Sequence, residues 1–369
     1  MKIAEIENWG EETRRIKNLF ERLGCDLVGV APAKHFPEMD FFENWLDRGF
    51  AGEMDYLQRH REKSVNPRKI LPSVQTVLVC GQLYETPLPH ETAVHNSHNG
   101  WISRYAWGED YHDRLLKILR TGVEWLNQKF DDLEYRFYVD TGPTRDRIWA
   151  RYAGLGWFGK NTCFINQKVG SYFFLGEIFL NLPLQTDKPA AERCGTCTRC
   201  LESCPTKALV EPGVLDARKC ISYLTIELKT AIPKNLRHAI GTHLFGCDIC
   251  QDVCPWNRRA PQTREDAYLP REGFYHPDLG DFYKWVRDEF PDRFKKSPLK
   301  RTKQRGLLRN VAVAMGNSGQ KEFKSALAEM AESDDPLVRE HAQWGLEKLK
   351  NRQSKKQRVK PTKSGKTSS

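Results

Sequence analysis

Eight cysteines between residues 194 and 254 constrain this chain more than any other feature. The first four read Cys194-x2-Cys197-x2-Cys200-x3-Cys204-Pro205. Bacterial ferredoxins use this spacing to hold one iron–sulfur cluster on three thiolates while the fourth reaches another cluster. The second group, Cys247-x2-Cys250-x3-Cys254-Pro255, has the tail of the same pattern but lacks one member, and Cys220 is available to fill the gap. The pseudo-symmetric rule predicts one 4Fe-4S cluster on Cys194, Cys197, Cys200 and Cys254, and another on Cys204, Cys220, Cys247 and Cys250. Structural zinc takes four ligands in two pairs and leaves the third cysteine and the Cys-Pro of each run without a purpose. Disulfides belong to exported chains. Here no apolar stretch approaches the roughly 20 residues of a spanning helix, and the first ten residues carry Glu5 and Glu7 where an export signal has a basic region. A soluble, cytoplasmic protein with no membrane segment is expected. The other three cysteines, Cys25, Cys80 and Cys163, lie in apolar surroundings and read as packing residues.

With 369 residues, of which 39% are hydrophobic and 29% charged, the chain has material for two or three folded domains. Ahead of the cysteines, helices are expected over Ile6 to Leu23, Phe41 to Asp47, Gly108 to Phe130 and Arg145 to Tyr152. Strands are expected over Asp26 to Ala31, Thr76 to Leu83 and Glu134 to Val139, with a hairpin-like pair at Thr162 to Asn166 and Ser171 to Leu182 turned at Lys168-Val169-Gly170. This alternation predicts a layered α/β or α+β domain over 1–185, and a ferredoxin-like part then occupies 186–290. Beyond it, Arg305 to Met315, Gln320 to Ala331 and Pro336 to Leu349 read as helices, the last with Asp335 as N-cap and Pro336 at its first position.

Gly154-Leu155-Gly156-Trp157-Phe158-Gly159 matches the dinucleotide fingerprint only as letters. That motif needs a strand before it and a helix after, and here the order is reversed. The glycines read instead as a helix C-cap and a tight approach to a planar or bulky ligand. Asp140, in Val139-Asp140-Thr141-Gly142-Pro143, stands at a strand end before a turn. A working carboxylate suits that place, and so does an ordinary turn aspartate.

The formal charge of +10 is unevenly distributed. Residues 293–309 hold eight Lys/Arg and residues 351–369 hold seven, neither with an acid, so acids outnumber bases by five in the rest of the chain. A basic C-terminal third on a mildly acidic body suits a polyanionic partner, and the tail alone suits a disordered solubilising segment.

Several phrases together resemble the epoxyqueuosine reductase family: Ser103-Arg104-Tyr105-Ala106-Trp107-Gly108 with Asp110-Tyr111-His112, Val139 to Pro143, Gly154 to Lys160, Phe173-Phe174-Leu175-Gly176-Glu177, the double cysteine run, and Cys220-Ile221-Ser222-Tyr223-Leu224-Thr225-Ile226-Glu227. The likeness runs from about residue 10 to 350. It implies a monomeric enzyme of tRNA queuosine synthesis that reduces an epoxide at the wobble position, related to reductive dehalogenases. Two 4Fe-4S clusters would feed a cobalamin bound base-off without a protein histidine ligand, and Asp110-Tyr111-His112-Asp113-Arg114-Leu115 indeed lacks the glycine of D-x-H-x-x-G.

The resemblance further implies that Asp140 is the catalytic acid, its pKa raised by burial, and that Lys63, Ser103, Asp140, Ser222, Cys247 and Asp248 approach the cobalamin. The 291–350 helices resemble HEAT repeats, which would set Lys295, Lys296, Lys300, Arg301, Lys303 and Arg305 beside the active site as tRNA phosphate contacts. The implied electron donor is of the flavodoxin or ferredoxin class. Two other readings are a cobalamin-dependent reductase of a small organic substrate and a non-catalytic electron carrier. The first leaves the basic C-terminal third unexplained, and the second leaves the large N-terminal domain and Asp140 unexplained.

Overall fold

The structure, a computed structural model, describes residues 2–94 and 96–358. Its centre is a four-stranded sheet of Leu27–Pro32, Thr76–Leu83, Phe173–Leu180 and Tyr135–Tyr138, in that spatial order, with every neighbouring pair antiparallel. Successive side chains of a strand point to opposite faces, and here both faces are covered, so the central strands read as continuous apolar runs. Leu78, Cys80, Phe174, Ile178 and Leu180 pack toward the helices Trp9–Arg22 and Tyr111–Lys129. Val77, Val79, Phe173, Leu175 and Phe179 pack toward Pro37–Asp47 and Asp146–Tyr152. The result is a three-layer α+β sandwich.

The hairpin-like pair does not form as expected. Phe164–Ile165 pairs with Trp157–Phe158, while Phe173–Leu180 enters the sheet between Thr76–Leu83 and Tyr135–Tyr138; one bridge, Asn166 to Gly170, is left at the turn. Gly154 does sit past the end of Asp146–Tyr152 with φ +74°, as a C-cap glycine should. The tight approach at Gly156 is made to the chain itself, because a side chain there would strike the Ile165 carbonyl.

Domain boundaries are less sharp than the sequence suggests. Trp101–Ile102 pairs in parallel with His243–Phe245, and Trp101, Ile102 and Trp107 join one core with Phe282, Leu307, Val311 and Val338 of the C-terminal helices. Those helices are Lys303–Ser318, Lys324–Ala331 and Pro336–Arg358. The last continues past Leu349, so the basic tail expected from 351 is helical as far as Arg358; its remainder, 359–369, lies outside the described residues. Arg309 ties this part to the cysteine-rich part. It is fully buried and donates to the carbonyls of Leu224, Leu228 and Thr230. It is therefore a structural cation, not part of a basic surface.

Candidate active site and cluster sites

A cavity of about 620 Å3 opens where the sheet domain meets the cysteine-rich part. Its walls include Tyr56, Tyr84, Tyr105, Tyr111, Phe173 and Phe174, with Asp140, Ser222, Glu227 and Arg301 among the polar residues. Tyr111 and Phe174 stack with centroids 4.0 Å apart, so part of the wall is flat and rigid.

Asp140 reaches this cavity because Tyr135–Tyr138 ends one residue before Val139 and the chain turns with Asp140 at φ +55°, a left-handed conformation that aspartate adopts more readily than most non-glycine residues. Its side chain is held on three sides. Asp140 Oδ2 accepts from Tyr111 Oη at 3.1 Å, pairs with Arg301 Nη1 at 3.2 Å and lies 3.6 Å from His112 Nε2. Behind the ring, Asp110 Oδ1 accepts from His112 Nδ1 at 2.8 Å, and Asp110 also caps the Tyr111–Lys129 helix and pairs with Lys300 at 3.2 Å. An Asp110–His112–Asp140 line thus runs from a helix N-terminus to the cavity.

The electrostatics reverse one expectation. Burial in the cleft pushes the Asp140 carboxyl up, but the neighbouring His112 ring and the Arg301 charge outweigh it and hold the group well below the usual carboxylate range. His112 moves the other way. Burial disfavours its cation, yet Asp110 and Asp140 together raise its pKa above the ordinary histidine value. Glu227, on the same wall, is raised by burial and keeps its proton to higher pH than a free glutamate.

The residues expected around cobalamin separate into two sets. Asp140 and Ser222 line the cavity; Lys63, Ser103, Cys247 and Asp248 do not. Lys63 is exposed, three residues beyond His60, which does reach the wall. Ser103 and Asp248 are buried and bond to each other at 2.6 Å; Asp248 also accepts from Trp101 Nε1 and the Arg104 amide. This network fastens the segment before Tyr105 to the cysteine-rich part, so both residues position the wall from behind.

The basic segment also divides. Lys300, Arg301 and Arg305 are paired with Asp110, Asp140 and Asp335. Lys295, Lys296 and Lys303 are exposed, and no described carboxylate pairs with them. His112 and the wall tyrosines belong to no catalytic motif of the sequence; the Asp-x-His at the start of a long amphipathic helix is the one local signal for the ring.

A second cavity, about 240 Å3, is lined by Cys194, Cys197, Cys200 and Cys254 with Lys160, Arg193, Arg199 and Trp256. The fourth thiol of this set comes from the second motif, 54 residues beyond Cys200. Cys204, Cys220, Cys247 and Cys250 form the other neighbourhood: Cys220 lies within electrostatic reach of Cys204, and Cys250 of Cys220 and Cys247. Burial pushes the thiols of Cys220, Cys247 and Cys254 up, the last to about 11, so bare thiolates are disfavoured there and a cationic centre is what such a donor set fits. Cys163 lies beside Cys250 of this group. Cys25 and Cys80 are buried against each other in the sheet core.

An antiparallel α+β sandwich joined to two four-cysteine sites, with a carboxylate–imidazole line in the cleft, defines an iron–sulfur redox protein with a catalytic chamber. Residues 193–257 match the family of 4Fe-4S double cluster binding domains, and residues 65–141 match the family described as epoxyqueuosine reductase QueG, DUF1730. The epoxyqueuosine reductase of Xanthomonas campestris is 39% identical over 335 residues, covering 90% of this chain and 94% of the relative; that of Escherichia coli is 38% identical over 346 residues, covering 93% and 88%. A crystal structure of an epoxyqueuosine reductase with an epoxyqueuosine-modified tRNA-Tyr stem loop superposes with a TM-score of 0.84 at 28% identity, over 96% of both chains. One from Bacillus subtilis, with its catalytic aspartate loop swung out of the active site, gives 0.83 at 28%, over 93% and 91%. The chain belongs to the epoxyqueuosine reductase family and is an oxidoreductase.

Proposed function

We propose that this enzyme removes the epoxide oxygen of epoxyqueuosine at the wobble position of tRNA, taking up two electrons and two protons, releasing water and leaving a cyclopentene. The observation that carries this reading is the Asp110–His112–Asp140 line ending in an aromatic cavity that abuts the cysteine-rich part. Cobalamin bound base-off in that cavity would supply a nucleophilic two-electron centre, fed one electron at a time from 4Fe-4S clusters on Cys194, Cys197, Cys200 and Cys254 and on Cys204, Cys220, Cys247 and Cys250. The flat aromatic walls suit a planar macrocycle. Both ring nitrogens of His112 are engaged, by Asp110 and Arg301, which leaves this ring unavailable as a cobalt ligand.

The chain's own residues then hold and move protons. With the His112 proton on Nδ1, facing Asp110, Nε2 accepts from Arg301 at 2.5 Å. Charging the ring places a proton on Nε2, and Asp140 Oδ2 is the carboxylate within reach. Asp140 carries that proton to the leaving oxygen, and His112 replaces it. Glu227 is the second proton source on the wall. Lys295, Lys296 and Lys303 hold the tRNA backbone while the modified base is splayed into the cavity. Lys300, Arg301 and Arg305 act through their carboxylate partners in the free enzyme. The 291–350 helices are read as HEAT-like supports, and the enzyme as a cytoplasmic monomer.

Asp140→Asn tests the proton role. It should keep tRNA affinity and cluster spectra while turnover falls by about two to four orders of magnitude, the range for a positioned acid. Undiminished turnover would remove Asp140 from the chemistry.

A further inference from the structure

The cavity of Cys194, Cys197, Cys200 and Cys254 faces solvent. Gly195 and Thr196, inside the first cysteine loop, are exposed, as is Pro255 beside Cys254. The other cysteine group lies toward the catalytic chamber, because Cys220 immediately precedes the Ile221–Ile226 helix, whose Ser222 and Ile226 line the chamber wall. An electron arriving from outside therefore enters at the first group.

The rim of that entry is basic. Arg193 and Arg199 line the cavity and are exposed; Arg258 and Arg259, four and five residues past Cys254, are exposed too. Among the described residues no carboxylate pairs with any of the four. Other exposed cations also lack a described carboxylate partner, Arg22, Arg59 and Arg120 among them, but none of these lines a cysteine cavity. The acids nearest in sequence are already engaged, Glu192 by Arg151 at 3.0 Å and Glu202 by Thr198 at 2.5 Å. Lys160 adds a further charge, fixed by donation to the carbonyls of Gly195 and Cys197. The Leu209–Glu211 and Val214–Leu215 hairpin, joined to Lys160 through the Gly213 amide, contributes the exposed apolar Val210.

We infer that this rim is the docking surface for an acidic one-electron carrier protein, a reduced flavoprotein or iron–sulfur protein of low potential. Transient redox complexes have small interfaces, and charge complementarity supplies their orientation and on-rate. Arg193, Arg199 and Lys160 at the cavity, with exposed Arg258 and Arg259 just past Cys254, suit an acidic surface around an exposed prosthetic group. Each encounter passes one electron from the reduced carrier to the first cluster, and two encounters supply the pair that the epoxide consumes. An RNA occupant is less well served, since Trp256 is half-buried and packed edge-on against Trp157 instead of being open for base stacking. The inference rests on the cluster reading of the four cysteines.

The test uses the full, iron-reconstituted chain carrying Arg258→Glu and Arg259→Glu, with reduced flavodoxin as the probe and cluster bleaching followed by stopped flow. Bleaching by flavodoxin should slow about tenfold or more and lose most of its salt dependence, while bleaching by dithionite and iron content stay as in the parent. An unchanged flavodoxin rate in an iron-replete variant overturns the docking site. Weakened tRNA binding with an unchanged flavodoxin rate also overturns it and assigns the rim to RNA. If the charge reversal costs iron, Arg258→Gln with Arg259→Gln replaces it, with a smaller slowing expected and the same readings. A parent protein that takes up no iron defeats the cluster reading instead.

Discussion

Arg301 and His112 hold Asp140 ionised in the free enzyme, so in the mechanism proposed above the transferable proton resides on the imidazole. Replacing Arg301 by Gln removes a cation that stabilises the Asp140 anion and opposes the His112 cation. Both groups then bind protons more tightly, and the alkaline limb of the pH–rate profile should move to higher pH. A limb that stays or moves to lower pH would show that Arg301 does not act on this pair. Position 140 itself was legible from the strand-then-turn pattern, but its electrostatic state was not, because Arg301 is 161 residues away in sequence. His112 was visible as a residue and hidden as a function for a similar reason: its orientation depends on Asp110 and on a loop that only folding brings near.

At the scale of elements, Thr76–Leu83 has the bounds that its apolar run indicated, since burial on both faces leaves no other use for such a run. The partner of Phe173–Leu180 was not legible. A local turn signal at Lys168 to Gly170 competed with a sheet position set by pairing with strands about 40 and 100 residues earlier, and the nonlocal pairing won. The cysteine motifs carried more than their local spacing, because the Cys-Pro ending implied a ligand exchanged between motifs. That exchange has a direct consequence: Cys254→Ala and Cys200→Ala should remove the same cluster signal in electron paramagnetic resonance, and Cys204→Ala the other. If Cys254→Ala instead matches Cys250→Ala, each motif serves its own cluster. The C-terminal helices are fastened by His341, which is fully buried, donates from Nδ1 to the Leu337 carbonyl and accepts the Ile232 amide at Nε2. Burial lowers its pKa to about 4 from an ordinary 6.5. The unfolded chain therefore binds the proton first as pH falls. The stabilisation is complete above about pH 6.5 and is lost toward pH 4, on the order of 3 kcal/mol. Denaturant unfolding at pH 7 and pH 4.5 should show this increment in the parent and not in His341→Gln; an equal pH dependence in both would contradict it.

Across the whole molecule, function follows from where three parts meet. The sheet domain presents Asp140 and the aromatic walls, the cysteine-rich part closes the cavity with Ser222 and Glu227, and the segment before the C-terminal helices brings Arg301 to both. Sequence periodicity could delimit these parts but could not show that Trp101 and Trp107 belong to the C-terminal core, because a shared core leaves no local signature. The basic 293–309 segment likewise looked like one surface, whereas it contains one buried strut, three carboxylate-paired cations and three exposed lysines that no described carboxylate pairs with.

On the proposed function, these parts together reduce an epoxide on tRNA. The direct measurement is an anaerobic single-turnover reaction of the iron-loaded protein on tRNA carrying epoxyqueuosine, with and without cobalamin, the nucleosides being resolved by mass spectrometry. Conversion to queuosine, a loss of one oxygen from the nucleoside, is expected only when cobalamin is present and the clusters are reduced. Unchanged epoxyqueuosine with both cofactors loaded and the tRNA bound would contradict it.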